Sequence, residues 1–188
     1  MSLPADIKKL EDELDAAESD AQALIAGLSE AHAAWRAQPG SWSVAQCLDH
    51  LGITNRAYLA AMEGPAIRAR QHGRLRRREA IPGRIGGFFV RMIEPPVKAR
   101  IRAPLSIVPS AETNLANAFS SFMAGQEHVR AYLYGYNEID LASVRFPNPF
   151  MPGVRFSLAT GLHIIVAHER RHLWQAWRAR KAAEAARE

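Results

Sequence analysis

The stretch QPGSWSVAQCLDHL, residues 38–51, ends one helix and begins another. Pro39 and Gly40 interrupt a helical pattern, because proline lacks a backbone N–H and glycine disfavours the helix. Ser43 and Gln46 then stand at the spacing of a capping box, in which each side chain bonds the other residue's backbone N–H. The stretch therefore predicts a short link followed by a second helix over about 43–62.

The segment before this link repeats apolar or small residues at alternating steps of three and four. These residues are Ile7, Leu10, Leu14, Ala17, Ala21, Leu24, Leu28, Ala31 and Trp35. Such a pattern is typical of one face of an amphipathic helix. We predict one long helix that ends near Gln38.

After the second helix, glycines and prolines punctuate residues 63–109 too often for one helix, so we predict a long crossover connection. Within it, RIGGFFVRMI (84–93) predicts a short helix whose face of Ile85, Phe88, Phe89 and Met92 covers one end of the core. A third helix is predicted over about 110–134. An extended loop at 146–153 and a fourth helix from about Ser157 follow, with no strand predicted.

Four long helices with a short first link and a long crossover describe an all-α four-helix bundle. The length of 188 residues is that of one ordinary domain, so we assign 1–188 to a single domain. No apolar run is long enough for a membrane span, and the acidic N-terminus is unlike a signal peptide. The lone Cys47 excludes an intrachain disulfide. These features predict a soluble cytoplasmic protein.

Positive charge is concentrated between Arg68 and Arg102, where the sequence has ten arginines and one lysine but only two glutamates. Three interpretations stay open: a solvated crossover, a site for an anionic substrate or cofactor, and a nucleic-acid surface. Nucleic acid is the least favoured, because no binding motif is present and no aromatics alternate with the arginines.

The fourth helix carries His168-Glu169-Arg170-Arg171-His172, which matches the H-E-x-x-H signature of zinc peptidases. At about 100° per residue, His172 lies roughly 40° from His168 and Gln175 roughly 20° to the other side. A peptidase needs a third ligand in a suitable place and Glu169 as general base. Few residues remain after His172 to supply that ligand, so we rank the peptidase below other metal proteins.

An upstream ligand is available on the second helix, where His50 shares a mostly small and apolar face with Cys47 and Thr54. Three histidines from two facing helices would form an open metal site. The alternative is a pair of core histidines that bond neighbouring helices. Cys47 is assigned to the core as a small hydrophobe, with a fourth-ligand role as its alternative.

Together, SWSVAQCLDHL (41–51) and AHERRHLWQ (167–175) resemble the DinB/YfiT-like superfamily, in which the second motif reads H-x-x-x-H-x-x-Q. The resemblance covers essentially the whole chain. It implies an up-up-down-down four-helix bundle, a divalent ion such as nickel or zinc on three histidines, and frequent homodimers. Carried over to this sequence, the ligands are His50, His168 and His172.

Characterised members of this superfamily include bacillithiol S-transferases and mycothiol-dependent maleylpyruvate isomerase, which activate a low-molecular-weight thiol. The resemblance thus implies a metal-dependent transferase or hydrolase, since a metal can stabilise a thiolate or hydroxide at neutral pH. A non-catalytic metal-binding or stress-response protein is the alternative. We place Glu169 at the rim of the site for proton handling and Gln175 where it can orient a ligand.

A second apolar sector of the fourth helix, made of Leu162, Val166, Leu173 and Trp177, lies away from the histidines. No helix of a four-helix bundle is central, so this sector needs a cover. It predicts a homodimer interface unless the long crossover covers it.

Overall fold

The computed structural model of the protein describes residues 3–96 and 103–186. These residues are mainly helical, as predicted for an all-α protein. The helices are α1 (Ala5–Ile25), α2 (Glu30–Ala34), α3 (Val44–Gln71), α4 (Arg84–Ile93), α5 (Leu115–Tyr136) and α6 (Leu158–Ala185). A short 3-10 helix spans Leu105–Ile107, and two strands, β1 (Arg145–Pro147) and β2 (Arg155–Ser157), form an antiparallel hairpin.

The predicted first helix is in fact two helices, so its predicted end near Gln38 is wrong. The chain leaves α1 through Gly27, whose φ of 68° lies in the left-handed region that glycine adopts without a steric penalty. Ser29 then caps α2, because its side chain accepts a hydrogen bond from the backbone N–H of His32. The predicted apolar period does not continue across this break, because α2 buries Ala33 whereas the predicted Ala31 is exposed.

The capping box at the start of α3 is confirmed. Ser43 Oγ accepts from the Gln46 N–H, and Gln46 Oε1 accepts from the Ser43 N–H, both at 3.2 Å. The predicted end near residue 62 is wrong, because α3 continues through Pro65. Beyond Met62 the inner face continues with the buried Ala66 and Ala69, and this packing offsets the one hydrogen bond that proline removes.

The short helix predicted inside the crossover is confirmed as α4, but of its predicted buried face only Phe89 packs against the core. Ile85, Phe88 and Met92 are exposed. The inner face instead begins at Gly86, which lies directly against Thr160 of α6, and continues with three partly buried apolar side chains. Because glycine has no side chain, α4 can approach α6 closely on this face, and the bulkier residues turn outward.

The extended loop predicted at 146–153 is partly a hairpin. Phe146 of β1 pairs with Phe156 of β2, and both rings are buried in the core. Asn114 caps α5, which begins later than predicted. Ser157 caps α6, which begins where it was predicted to begin.

Helix α3 packs against α5 and α6, and α1 packs against α5 and α6 on another side. The apolar sector of α6 assigned to a dimer interface is covered within the chain. Leu162 and Val166 share a core cluster with Leu10 of α1, and Trp177 donates a hydrogen bond to Asp20 of α1. Helices α1 and α4 both pack against α6, so the crossover shares in covering this sector, and its burial within the chain gives no support to a dimer.

Candidate metal centre

Three histidines from two helices meet inside the protein. His50 lies on α3, and His168 and His172 lie one turn apart on α6. One ring nitrogen of each lies within 4.8 Å of the others, and His50 Nε2 is 3.2 Å from His168 Nε2. Among the residues that the structure describes, this is the cluster of histidine, cysteine and acidic side chains able to hold a metal ion.

Hydrogen bonds to the outer ring nitrogens orient two of these histidines. His50 Nδ1 is 2.7 Å from the carbonyl oxygen of Ile107. A carbonyl can only accept, so Nδ1 carries the proton and Nε2 keeps its lone pair. His168 Nδ1 is 3.4 Å from Thr54 Oγ1, whose own hydroxyl donates to the carbonyl of His50 or Leu51. Thr54 therefore accepts from His168, which leaves Nε2 of His168 unprotonated as well.

The inward ring nitrogens lack the partners that buried polar atoms need. Nε2 of His50 and of His168 face each other as two lone pairs, an arrangement that a cation between them would stabilise. His172 Nδ1 is buried and has no hydrogen-bond partner in the described chain. Buried polar atoms are normally bonded, so this set of nitrogens points to a missing ligand.

Burial also keeps the imidazoles in the form that binds metals. It lowers the pKa of His50 to about 4, partly offset by the bond to Ile107. The pKa values of His168 and His172 lie well below the usual range, because burial and the neighbouring rings disfavour their charged forms. All three rings are thus neutral near pH 7, as metal coordination requires.

The residues present fit a divalent transition-metal ion. Two imidazole nitrogens on one tetrahedral zinc ion are about 3.3 Å apart, given zinc–nitrogen distances near 2.0–2.1 Å. The observed separation of 3.2 Å matches this value. A donor set of three imidazoles suits zinc or nickel and leaves coordination positions for other ligands.

Glu169, placed at the rim by sequence, is instead fully buried. Asn55 Nδ2 of α3 donates to its carboxylate at 2.7 Å, and Gln126 Nε2 of α5 donates at 3.2 Å. Burial raises the pKa of Glu169 to about 7, although both amides oppose the rise. The side chain thus lies in the core between α3 and α5, and the rim assignment is wrong.

Gln175 is half-buried beside His172. Burial lowers the pKa of His172, and the Gln175 side chain acts in the opposite direction, although Nδ1 of His172 has no hydrogen-bond partner in the described residues. Its expected role in orienting a ligand stays a prediction. Cys47 is fully buried and lies outside the ligand cluster, and burial raises the pKa of its thiol. This placement agrees with a core residue.

Sequence reasoning missed several residues that surround the centre. Trp42 lies 4.6 Å from His50 and 5.5 Å from His172 between ring centroids. The positive charge of Arg171 lowers the pKa of all three histidines, and its Nη1 is buried with no partner in the described residues. Thr54 stands four residues after His50 and was detectable by that spacing. The Ile107 carbonyl was not, because backbone atoms carry no sequence signal.

The fold and the site together define a helical protein with a three-histidine centre between two long helices. The chain belongs to the DinB superfamily, whose sequence model matches residues 13–176. The match spans both histidine motifs, as the resemblance implied. No curated protein and no solved structure gives a significant match to this chain. In the described residues, no helix combines the length and the apolar character that crossing a membrane demands.

Proposed function

We propose that this DinB superfamily protein is a metal-dependent enzyme in which His50, His168 and His172 hold one divalent ion, nickel or zinc. The observation that carries the proposal is the pair of facing Nε2 atoms, each left unprotonated by a bond at the outer nitrogen of its ring. Helix order and length favour an up-up-down-down four-helix bundle of α1, α3, α5 and α6 around this centre.

A bound ion would lower the pKa of a coordinated thiol or water, the chemistry needed for transferase or hydrolase activity. The chain's own residues serve that chemistry by position. Ile107 and Thr54 hold the rings of His50 and His168, and Trp42 covers one side of the centre against water. Arg171 adds a positive charge that favours an anionic nucleophile or an acidic substrate group.

The partial exposure of His168 supports a catalytic over a purely structural centre. His50 and His172 are almost completely buried, whereas His168 is only partly buried. A substrate route to the centre would then lie on the His168 side. The near-complete burial of the other two rings is the observation that keeps a non-catalytic, stabilising metal as the second candidate.

The peptidase alternative has little support from the site. A general base must reach the proton that it removes. The Glu169 carboxylate is fully buried and bonded to Asn55 and Gln126, so it is directed at α3 and α5. The homodimer and the cytoplasmic location stay predictions.

Metal analysis tests the ligand set. Elemental analysis of purified wild type, His50→Ala, His168→Ala and His172→Ala should show stoichiometric metal in wild type and its loss in each variant. His128→Ala is the matched control, because His128 is exposed on α5, and it should retain the metal. Equal metal content in all five proteins would end the three-histidine proposal.

Activity measurements then separate the two candidate functions. Wild type loaded with nickel or zinc is assayed for transfer of a low-molecular-weight thiol to a panel of electrophiles, and for hydrolysis of activated esters. Metal-dependent turnover that is lost in His168→Ala supports the enzyme. Stoichiometric metal with no turnover, and with no coordination position open to added ligands, supports the stabilising role.

A further inference from the structure

A basic cavity lies near the C-terminal end of α3. Its volume is about 360 Å³, and its walls come from the end of α3, the segment after it and the β1–β2 hairpin. Four arginines and one histidine line it, and no acidic residue does: Arg68, His72, Arg74, Arg145 and Arg155. We call it the arginine cavity.

The four arginines of this cavity have no carboxylate partner in the described chain. Other arginines of the basic segment do pair with acids, since Arg76 contacts Asp6 and Arg78 contacts Asp140. The segment 97–102 contains no acidic residue by sequence, so it offers no counter-charge either. The cavity thus gathers positive charge that no carboxylate of the described residues neutralises.

Backbone pairing holds the walls of the cavity in place. Arg145 and Arg155 stand on the outer face of the hairpin, because their strand neighbours Phe146 and Phe156 are paired and buried and alternate residues of a strand point to opposite faces. Arg74 is anchored because its carbonyl accepts from the Asp140 N–H at 3.0 Å. Guanidinium groups on such fixed backbone lose less entropy on binding than groups on a mobile loop.

The arginine cavity is too far from the histidines to be part of their site. Arg68 lies about five turns of α3 beyond His50, which is about 27 Å along the helix axis. A small ligand in this cavity cannot also reach the metal centre. The cavity is therefore a separate feature of the molecule.

We propose that the arginine cavity binds a phosphate-bearing small molecule. Guanidinium groups match phosphate oxygens with two parallel hydrogen bonds, and several of them together favour a multiply charged anion over a single carboxylate. A nucleic acid is less favoured, because the lining contains no phenylalanine, tyrosine or tryptophan on which bases could stack. This site draws Arg68 and Arg74 from the basic segment and adds two arginines from the hairpin.

Calorimetric titration with inorganic pyrophosphate, at constant low ionic strength, tests the proposal. The double variant Arg145→Glu/Arg155→Glu should bind about tenfold more weakly or worse, since charge-assisted hydrogen bonds are replaced by repulsion. The matched control, Arg36→Glu/Arg84→Glu, changes the net charge equally at exposed positions outside the cavity and should bind as wild type does.

Further variants and ligands distinguish the arginine cavity from the metal centre and from a general basic surface. His50→Ala should keep pyrophosphate binding, and its loss there would place the anion at the metal centre and overturn the proposal. Equal weakening in the variant and the control, or no binding by wild type, would overturn it as well. Tighter binding of a short duplex DNA, weakened equally by both double variants, would indicate a general basic surface instead. Circular dichroism and the milder Arg145→Gln/Arg155→Gln variant guard against misfolding.

Discussion

His168 and Glu169 are neighbours on α6, yet they belong to two different buried polar clusters. His168 faces His50 and His172 in the candidate metal centre. Glu169 faces Asn55 and Gln126 in the core. Successive side chains of a helix are rotated by about 100° around its axis, so two adjacent residues can contact different neighbours.

The two clusters differ in what their polar atoms lack. In the histidine cluster the inward nitrogens are lone pairs without donors, and burial lowers the pKa values, so the cluster accepts a cation. In the Glu169 cluster each carboxylate oxygen already accepts from an amide, and burial raises the pKa to about 7. The first cluster leaves ring nitrogens for a cation, whereas the second is closed around its carboxylate, although the side-chain oxygens of Asn55 and Gln126 are buried there with no donor in the described residues. The letters H-E-x-x-H conceal this difference.

The largest predicted effect is at Glu169, in metal-free protein. A raised folded-state pKa means that the folded state holds its proton more tightly, so stability from this group is present below pH 4.5 and is lost as pH rises through about 7. Glu169→Gln is neutral at every pH and should be about 3 kcal/mol more stable than wild type at pH 8 but similar at pH 4. Urea unfolding at both pH values measures this.

Glu112→Gln, at an exposed carboxyl, is the control for Glu169→Gln. Its free energy of unfolding relative to wild type should not increase between pH 4 and pH 8. A constant difference between Glu169→Gln and wild type from pH 4 to pH 8 would contradict the closed, desolvated cluster. So would a loss of metal binding in Glu169→Gln equal to that in His168→Ala.

The next effect concerns the contact of α3 with α5 that holds the Glu169 cluster together. At Gly52 of α3, an added Cβ would lie 2.8 Å from the backbone oxygen of Ser121 on α5, closer than real contacts. Gly52→Ala should therefore lower the free energy of unfolding by about 1–3 kcal/mol, because the two helices must separate.

Thermal or urea unfolding measures the Gly52→Ala effect, with Gly83→Ala as the control because a Cβ there meets open space. Unchanged stability in Gly52→Ala would show that α3 and α5 are not in close contact at this position. Close packing of α3 against α5 would then not explain why the Glu169 cluster is closed.

The smallest effect is expected at Thr54, which orients His168. Thr54→Val keeps the shape of the side chain but removes the oxygen that accepts from Nδ1 of His168. Metal affinity should fall about tenfold, the lower end for such outer partners, since the 3.4 Å contact is long. Competition with a chelator measures the affinity, and Thr54→Ser should stay close to wild type. Equal affinities for Val and wild type would remove Thr54 from the centre.

Much of the fold followed from local patterns in the sequence. The capping box of Ser43 and Gln46 and the start of α6 at Ser157 were predicted correctly, because each depends on residues within one turn. The break at Gly27 and the continuation of α3 through Pro65 were missed. At Gly27 the glycine itself adopts the left-handed conformation that ends α1, whereas at Pro65 tertiary packing outweighs the local preference of a proline.

The candidate site was predicted only in part, because some of its residues follow from local spacing and others depend on tertiary contacts. Spacing on one helix placed His168 and His172 together, and the apolar face around His50, together with the resemblance, indicated the third ligand. The surroundings of Glu169 could not be predicted, because a face 100° from the ligands can be rim or core, and only the positions of α3 and α5 distinguish the two.

By itself, the sequence determined the helical character, the starts of α3 and α6 and the family, because capping residues, apolar periods and paired motifs are local features. Only the tertiary structure decided which neighbour each helix face meets. It turned Glu169 into the core, exposed Phe88 on α4, and joined Arg68 and Arg74 to the two hairpin arginines. Such placements depend on contacts between residues far apart in the chain, which no local pattern encodes.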